Sequence, residues 1–361
     1  MMNQNNNLDD IDKMLFSYFD NNKDIPSSTQ DTILNAFEKP RKTISLVYKI
    51  QKVAIVLISF IILTTGVVFA KDIINFITSL FTNTTEGINK AIENGSLKPN
   101  MPIVEATSGN TGISLAALGA YYKNPVQIFM PDWVSKERVN LMKMYNANVT
   151  LVSKKDGGFK KALELAKKFA EENNAFLANQ FENENNVIAH YETTGIEILE
   201  QMNNNVQGFV SGIGTGGTLI GISKKLKENL RNVTTAALEP ERAPLLSEGV
   251  ILGNHKIEGI GDDFIPNIVD LKLIDKIFLI NDDDAINMSR KLSKELGLGV
   301  GISSGANLLA AILLNEEING NVVTVFADDN KKYLSTDLSK NISTNPDFLS
   351  NKIELISFNF I

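Results

Sequence analysis

The sequence predicts an α/β fold built on parallel strands, and three observations carry that expectation. Short apolar runs recur at Ile103–Ala106, Val126–Met130, Val149–Val152, Phe209–Ser211, Ala236–Leu238 and Val322–Phe326, each of buried-strand length. Helical patterns lie between them, the clearest being Phe159, Ala162, Leu163, Ala166 and Phe169 behind a Gly157-Gly158 turn. Two of the strands run straight into loops rich in glycine or hydroxyls that open new helices. Strands alternating with helices imply a doubly wound sheet.

Taken in order, residues 1–50 are expected to form a helical head. Leu8, Ile11, Leu15 and Phe19 keep helical spacing, and Pro26-Ser27-Ser28 opens a second short helix with Ile33, Leu34 and Phe37 on one face. Residues 51–71 contain Val53 to Ala70, 18 residues without a charge and apolar on every face. That length reaches the lower limit for crossing a hydrocarbon core of roughly 30 Å, so the stretch is expected to be a single transmembrane helix. Lys39, Arg41, Lys42, Lys49 and Lys52 precede it and only Lys71 follows closely, which puts the N-terminus in the cytoplasm. Residues 72–87 read as a linker, 88–337 as the α/β domain and 338–361 as a tail.

Bulk properties narrow the function. A chain of 361 residues buries a full core, and a net charge of -7 with no basic cluster among aromatics argues against nucleic acid as a partner. Cysteine is absent, which removes disulfides, thiolate nucleophiles and zinc–thiolate sites. His190 and His255 are the only histidines, too few for a histidine-rich metal site. Asp282-Asp283-Asp284 stands before the helical pattern Ile286, Arg290, Leu292 and reads as acids at a helix N-terminus, not as metal ligands.

The chemistry lies in the two loops. Gly214-Thr215-Gly216-Gly217-Thr218 follows the strand Phe209–Ser211 and precedes a helix. Glycines there let successive N–H groups converge on an anion, the helix start adds positive potential, and Thr215 and Thr218 add hydroxyls. A phosphate is the natural guest. Gly212-x-Gly214-x-x-Gly217 also fits a dinucleotide fingerprint, with Glu239 where a ribose partner would stand, and a turn without ligand remains open. The other loop, Thr107-Ser108-Gly109-Asn110-Thr111-Gly112, follows Ile103–Ala106 and offers hydroxyls and an amide. It suits a carboxylate beside a phenolic oxygen; a capped strand-to-helix turn is the plainer alternative.

Together the loops resemble those of the cysteine synthases (O-acetylserine sulfhydrylases), enzymes that use pyridoxal phosphate. Further blocks recur in that family's order: Met130-Pro131-Asp132, Gln180-Phe181, Thr193-Thr194-Gly195, Glu239-Pro240, Lys256 to Gly261, Gly301 to Gly305 and Tyr333 to Thr336. The resemblance spans about 88–336. It implies the type II pyridoxal-phosphate fold (tryptophan synthase β-like) with parallel sheets, and formation of cysteine and acetate from O-acetylserine and sulfide. It implies that Asn110 meets the pyridoxal ring hydroxyl, that Thr107, Ser108, Thr111 and Gln180 hold an O-acetylserine-type substrate by its carboxylate, and that Gly214 to Thr218 hold the phosphate. A homodimer or serine acetyltransferase is the implied partner.

Two departures stand out. Ala327-Asp328-Asp329-Asn330 replaces the family's Pro-Ser-Ser-Gly or Pro-Asp-Ser-Gly ahead of its Arg-Tyr-Leu-Ser-Thr run, placing Asp329 where a serine meets the pyridine nitrogen. The family's Schiff-base lysine segment, expected near Leu80, is absent; Lys71 and Lys90 are the nearest lysines and neither is a substitute. No catalytic residue is therefore assigned, the domain reads as incomplete at its N-terminus, and the cofactor is expected to bind weakly and non-covalently. Residues 1–86 resemble, in layout only, single-span regulators of the anti-sigma-factor type. The expectation is a fusion of such a head to a cysteine-synthase-like domain of impaired activity; a membrane-anchored regulator or non-catalytic binding protein is the alternative.

Overall fold

The computed structural model describes residues 82–340 and 345–356. The chain divides into a unit over 1–75 and a unit over 76–361, and every described residue belongs to the second. The expected head, the uncharged stretch 53–70 and most of the expected linker lie outside the described residues. Among the described residues no helix is long and apolar enough to cross a membrane.

Two four-stranded parallel sheets form, in keeping with the parallel sheets the family resemblance implied and one more than the strand–helix alternation alone suggested. The first is made by β1 (Ile103–Ala106), β2 (Val126–Pro131), β3 (Asn148–Val152) and β4 (Phe176–Leu177), in the order β3-β2-β1-β4. The second is made by β5 (Gly208–Gly212), β6 (Thr234–Pro240), β7 (Lys276–Ile280) and β8 (Val322–Thr324), in the order β7-β6-β5-β8. β4 and β7 were not anticipated, and β8 stops two residues before the expected end at Phe326. β4 has two residues, too few for a periodic signal; β7 is an apolar run that follows a charged, irregular stretch.

Helices connect the strands. In chain order they are α1 (Thr82–Glu93), α2 (Asn110–Tyr122), α3 (Lys136–Met144), α4 (Gly158–Asn173), α5 (Asn185–Glu192), α6 (Thr194–Gln201), α7 (Gly217–Asn229), α8 (Leu245–Glu248), α9 (Asp282–Leu296), α10 (Ile302–Ile318) and α11 (Leu349–Lys352). The stripe expected from Phe159 is the buried face of α4, where Phe159, Ala162 and Ala166 pack on Val104, Phe129 and Val152. Asp282 to Asp284 form the first turn of α9 behind Asn281, whose side chain accepts the N–H groups of Asp283 and Asp284. α1 runs across the expected boundary at residue 87, because Thr85, Ile88 and Ala91 share one buried face.

The strand order decides where the site forms. β1 is flanked by β2 on one side and β4 on the other, and β5 by β6 and β8, so the connections leave in opposite directions at these two strands. A crevice opens at the carboxyl end of a strand where the order reverses in this way. The two loops singled out in the sequence leave the carboxyl ends of β1 and β5.

Candidate active site

Both loops face one cavity of about 490 Å³. On the β1 side, Thr107 Oγ1 accepts the N–H of Gly109 at 3.0 Å and folds the loop back before α2 begins at Asn110. A Cβ on Gly109 would lie 2.2 Å from Cδ of Arg138, so the residue must be glycine for the helix to pack there. The Thr111 hydroxyl donates to Gln180 Oε1 at 2.7 Å, and Gln180 Nε2 donates to the Ala106 carbonyl at 2.8 Å. Thr107, Ser108, Thr111 and Gln180 thus line one wall together. Beneath them, buried Glu105 accepts the N–H groups of Ala106 at 2.8 Å and Gln180 at 3.1 Å, and burial pushes its carboxyl up to about 7. Sequence reasoning missed Glu105; the signal was a single carboxylate in an otherwise apolar strand.

On the β5 side, Gly212, Gly214, Thr215, Gly216 and Thr218 line the cavity, and α7 starts at Gly217. Gly216 has φ +91, and a Cβ on Gly214 would stand 2.3 Å from the Gly259 carbonyl oxygen. Asn186, also unanticipated, donates to Thr215 Oγ1 at 2.8 Å and to the Gln180 carbonyl at 3.0 Å, tying the two walls together. The Thr218 hydroxyl pairs with His190 Nε2 at 2.9 Å, while Nδ1 meets the Thr194 hydroxyl at 3.2 Å. Burial lowers His190 to about 4, so the imidazole is neutral at pH 7. The N–H groups of the first turn of α7 lack intrahelical acceptors, and no carboxylate belongs to the loop. This donor set, in a loop whose glycines leave no room for a Cβ against Gly259, Val269 and Asn186, fits a phosphate. Glu239 is committed elsewhere: it accepts the N–H groups of Leu246 and Ser247 at the start of α8, which takes the ribose partner out of the dinucleotide alternative.

The third wall is built from charged side chains. Asn110 Nδ2 donates to Asp328 Oδ2 at 3.2 Å, and Asn110 Oδ1 accepts from Lys332 Nζ at 3.1 Å. Asp328 also accepts from the Tyr333 hydroxyl at 2.9 Å and lies 3.5 Å from the buried Arg138, whose guanidinium stacks on Tyr333 and pairs with Glu258. Asp329, the residue expected to face the ring nitrogen, instead accepts the Lys331 N–H and caps a short 3-10 turn. Its neighbour Asp328 is the one that reaches Asn110, because alternate residues in this extended segment point to opposite sides. Asp262 also lines the cavity, and burial, with the adjacent charge of Asp263, pushes it up to about 7.

The lysines divide sharply. Lys90, on α1, lies 3.7 Å from Glu192, and Lys71 is outside the described residues. Among the described residues Lys332 is the lysine that lines the cavity, and it comes from the far end of the domain. Thr84, Gly87 and Ile88 of α1 line it as well, so part of the expected linker is wall.

Residues 77–328 match the family of pyridoxal-phosphate dependent enzymes. A cysteine synthase of Staphylococcus aureus is 42% identical over 254 residues, 70% of this chain and 81% of the relative. Cysteine synthase B of Campylobacter jejuni is 41% identical over 255 residues, 70% of this chain and 84% of the relative. Among solved structures, a hydrogen sulfide-producing enzyme of Fusobacterium nucleatum is 47% identical with a TM-score of 0.71, over 74% of this chain and 82% of that one. A cysteine synthase of Entamoeba histolytica is 38% identical with a TM-score of 0.68, over 75% of this chain and 80% of that one.

Proposed function

Because the chain belongs to the pyridoxal-phosphate-dependent enzyme family and is cysteine-synthase-like, with pyridoxal phosphate as its cofactor, we propose that it exchanges sulfide at the β-carbon of a small amino acid. The observation that carries this reading is the convergence of a glycine-rich cradle and a hydroxyl–amide loop, Asn110 included, on one cavity. The cofactor, once bound, supplies an electron sink for bonds broken at the substrate's α- and β-carbons. Gly214 to Thr218 hold its phosphate, and Asn110 holds its ring hydroxyl. Thr107, Ser108, Thr111 and Gln180 hold the carboxylate of an O-acetylserine-type amino acid. Gln180 is itself fixed by Thr111 and Ala106, so its amide is oriented before substrate arrives.

Without the upstream lysine segment, turnover is slow, since proton transfer and cofactor anchoring each contribute orders of magnitude. The purified full chain, supplied with pyridoxal phosphate, should convert O-acetylserine and sulfide to cysteine slowly but above background. Failure to retain the cofactor at all, with no product, would overturn this reading. A second direction, release of sulfide from cysteine, is favoured by Asp262, a cavity-lining carboxyl raised to about 7 that can supply the proton the departing sulfide takes up. Asp262→Asn should then lower sulfide release more than cysteine formation; equal losses would remove that direction.

The same reading keeps residues 53–70 as a single membrane anchor with a cytoplasmic N-terminus, on the strength of 18 uncharged residues behind five basic ones. Alkaline carbonate washing of membranes should leave the chain in the pellet, and its recovery in the supernatant would remove the anchor. The α/β domain is taken to form homodimers, which sedimentation of the detergent-solubilised chain would test.

A further inference from the structure

The family's anchoring lysine was sought upstream of the first loop, where sequence order places it. The cavity offers an amine from the opposite end of the domain. Lys331 and Lys332 sit side by side on a 3-10 turn, Asn330–Tyr333, yet they diverge. The Lys331 side chain is 84% exposed, whereas Lys332 is half-buried and lines the cavity. Its Nζ donates to Asn110 Oδ1 at 3.1 Å, across 222 residues of sequence. Asn110 Nδ2 is bound to Asp328, so the amide is fixed with its oxygen toward the amine. Tyr333, fully buried against Arg138, holds the turn that aims Lys332 inward.

From this we propose that Lys332 is the residue that binds the aldehyde of pyridoxal phosphate covalently in this chain. The inference rests on the reading above, in which Asn110 meets the ring hydroxyl. In the free cofactor the hydroxyl is flanked by the ring carbon that bears the aldehyde and by the one that bears the methyl group, so an amine that touches Asn110 has the aldehyde within reach of its four-carbon stem. The step balances simply: the neutral ε-amine adds to the aldehyde carbon, one water leaves, and a carbon–nitrogen double bond remains. The amine must first shed a proton, as any lysine does before acting as a nucleophile, and the four-carbon stem gives it reach. The position is where the family's Arg-Tyr-Leu-Ser-Thr run has an arginine. A guanidinium there could hold charge but could not form this bond at neutral pH, so the lysine brings a chemistry that arginine lacks.

The test uses the full chain in detergent, incubated with increasing pyridoxal phosphate, with retention measured by equilibrium dialysis. Samples are then reduced with borohydride, digested and mapped by mass spectrometry. The expected result is a phosphopyridoxyl group confined to the Lys332 peptide, saturating in step with retention. In Lys332→Arg the trapped group should fall at least tenfold, while phosphate-competable retention survives at weaker affinity. Lys332→Ala guards against a special effect of the arginine and should behave alike. Retained cofactor with no adduct at Lys332, or with adducts scattered over surface lysines and unchanged in both variants, would overturn the proposal and leave the cofactor site standing. No retention in any of the three proteins would overturn the cofactor site itself, and this assignment with it.

Discussion

The two ends of the cavity are made from different materials. The end proposed to hold the phosphate is a run of five residues, Gly214 to Thr218, which offers main-chain N–H dipoles and two hydroxyls. The opposite end is assembled from side chains of Asn110, Arg138, Glu258, Asp328, Lys332 and Tyr333, drawn from segments as far apart as 222 residues. The first end depends on the absence of side chains and is indifferent to their charge. The second depends on charge balance among buried groups and is indifferent to backbone conformation. The comparison teaches that a site can be half inherited in its local geometry and half remade by substitution. Lys332 stands where the family pattern has an arginine, whereas Asp328 keeps the aspartate of the Pro-Asp-Ser-Gly form.

The sharpest way to test the difference is to unbalance the charged end. Arg138 is buried between Glu258 and Asp328, and the Asp328 side chain has 0% exposure. Removing the guanidinium by Arg138→Ala strands a buried carboxylate, which typically costs 3–5 kcal/mol. Urea denaturation of the variant should show that loss. A change below about 1 kcal/mol would mean the cluster is solvated and the contrast between the two ends is false.

The phosphate end should break by the smallest possible addition. Gly214→Ala places a Cβ 2.3 Å from the Gly259 carbonyl oxygen, a main-chain atom with no rotamer to escape into. The loop must shift, and overpacking of this kind costs roughly 1–3 kcal/mol. Cofactor affinity should fall tenfold or more in a fluorescence titration, with a smaller loss in melting temperature than for Arg138→Ala. Unchanged affinity would show that the cradle does not hold the phosphate.

That asymmetry also decides what could be read from the sequence. The strands ending at Ala106 and Gly212, the stripe on α4 and both loops were legible because their signals are local: apolar runs, helical spacing, glycines before a helix. Asp329 was chosen over Asp328 because register in an extended segment flips sides with every residue, and one-residue precision is beyond pattern reading. Lys332 was invisible because the search for an amine followed chain order, while the fold brings the end of the domain back to Asn110. Glu105, Asn186 and His190 are polar groups whose partners lie on other elements, and no local pattern marks them. The boundary at residue 87 was placed by family resemblance, whereas α1 obeys its own buried face of Thr85, Ile88 and Ala91.

A gentler probe separates orientation from binding. Thr111→Val keeps the shape of the loop and deletes the 2.7 Å hydrogen bond to Gln180. The loss should be about 1 kcal/mol, and it should appear as a higher KM for the amino acid, with cofactor affinity unchanged. If cofactor affinity falls instead, the hydroxyl–amide wall belongs to the phosphate end and the division drawn above is wrong.

The last probe is pH, to which buried groups in the two walls respond in opposite directions. Glu105 has its carboxyl raised from 4.5 to about 7, so between those values the folded chain keeps a proton the unfolded chain has released. That contribution to stability is present below pH 4.5 and is lost as pH rises toward 7. His190 is lowered from 6.5 to about 4, so over nearly the same window the unfolded chain holds the extra proton. Its contribution is present above pH 6.5 and is lost as pH falls toward 4. Asp262, raised from 3.8 to about 7, sides with Glu105, so the sum tilts toward acid by the whole of its own contribution. The wild-type melting temperature should therefore decline from weakly acidic to neutral pH. Glu105→Gln removes one falling limb, and with it the balance. At pH 4.5 the variant stands roughly 1–3 kcal/mol below wild type, because a glutamine has one acceptor oxygen for the two N–H groups of Ala106 and Gln180. That offset leaves the slope readable: relative to wild type, the variant should gain stability as pH rises from 4.5 to 7. Parallel curves for the two proteins would mean Glu105 titrates as an ordinary carboxyl, and the wall beneath the substrate loop would be wetter than its burial indicates.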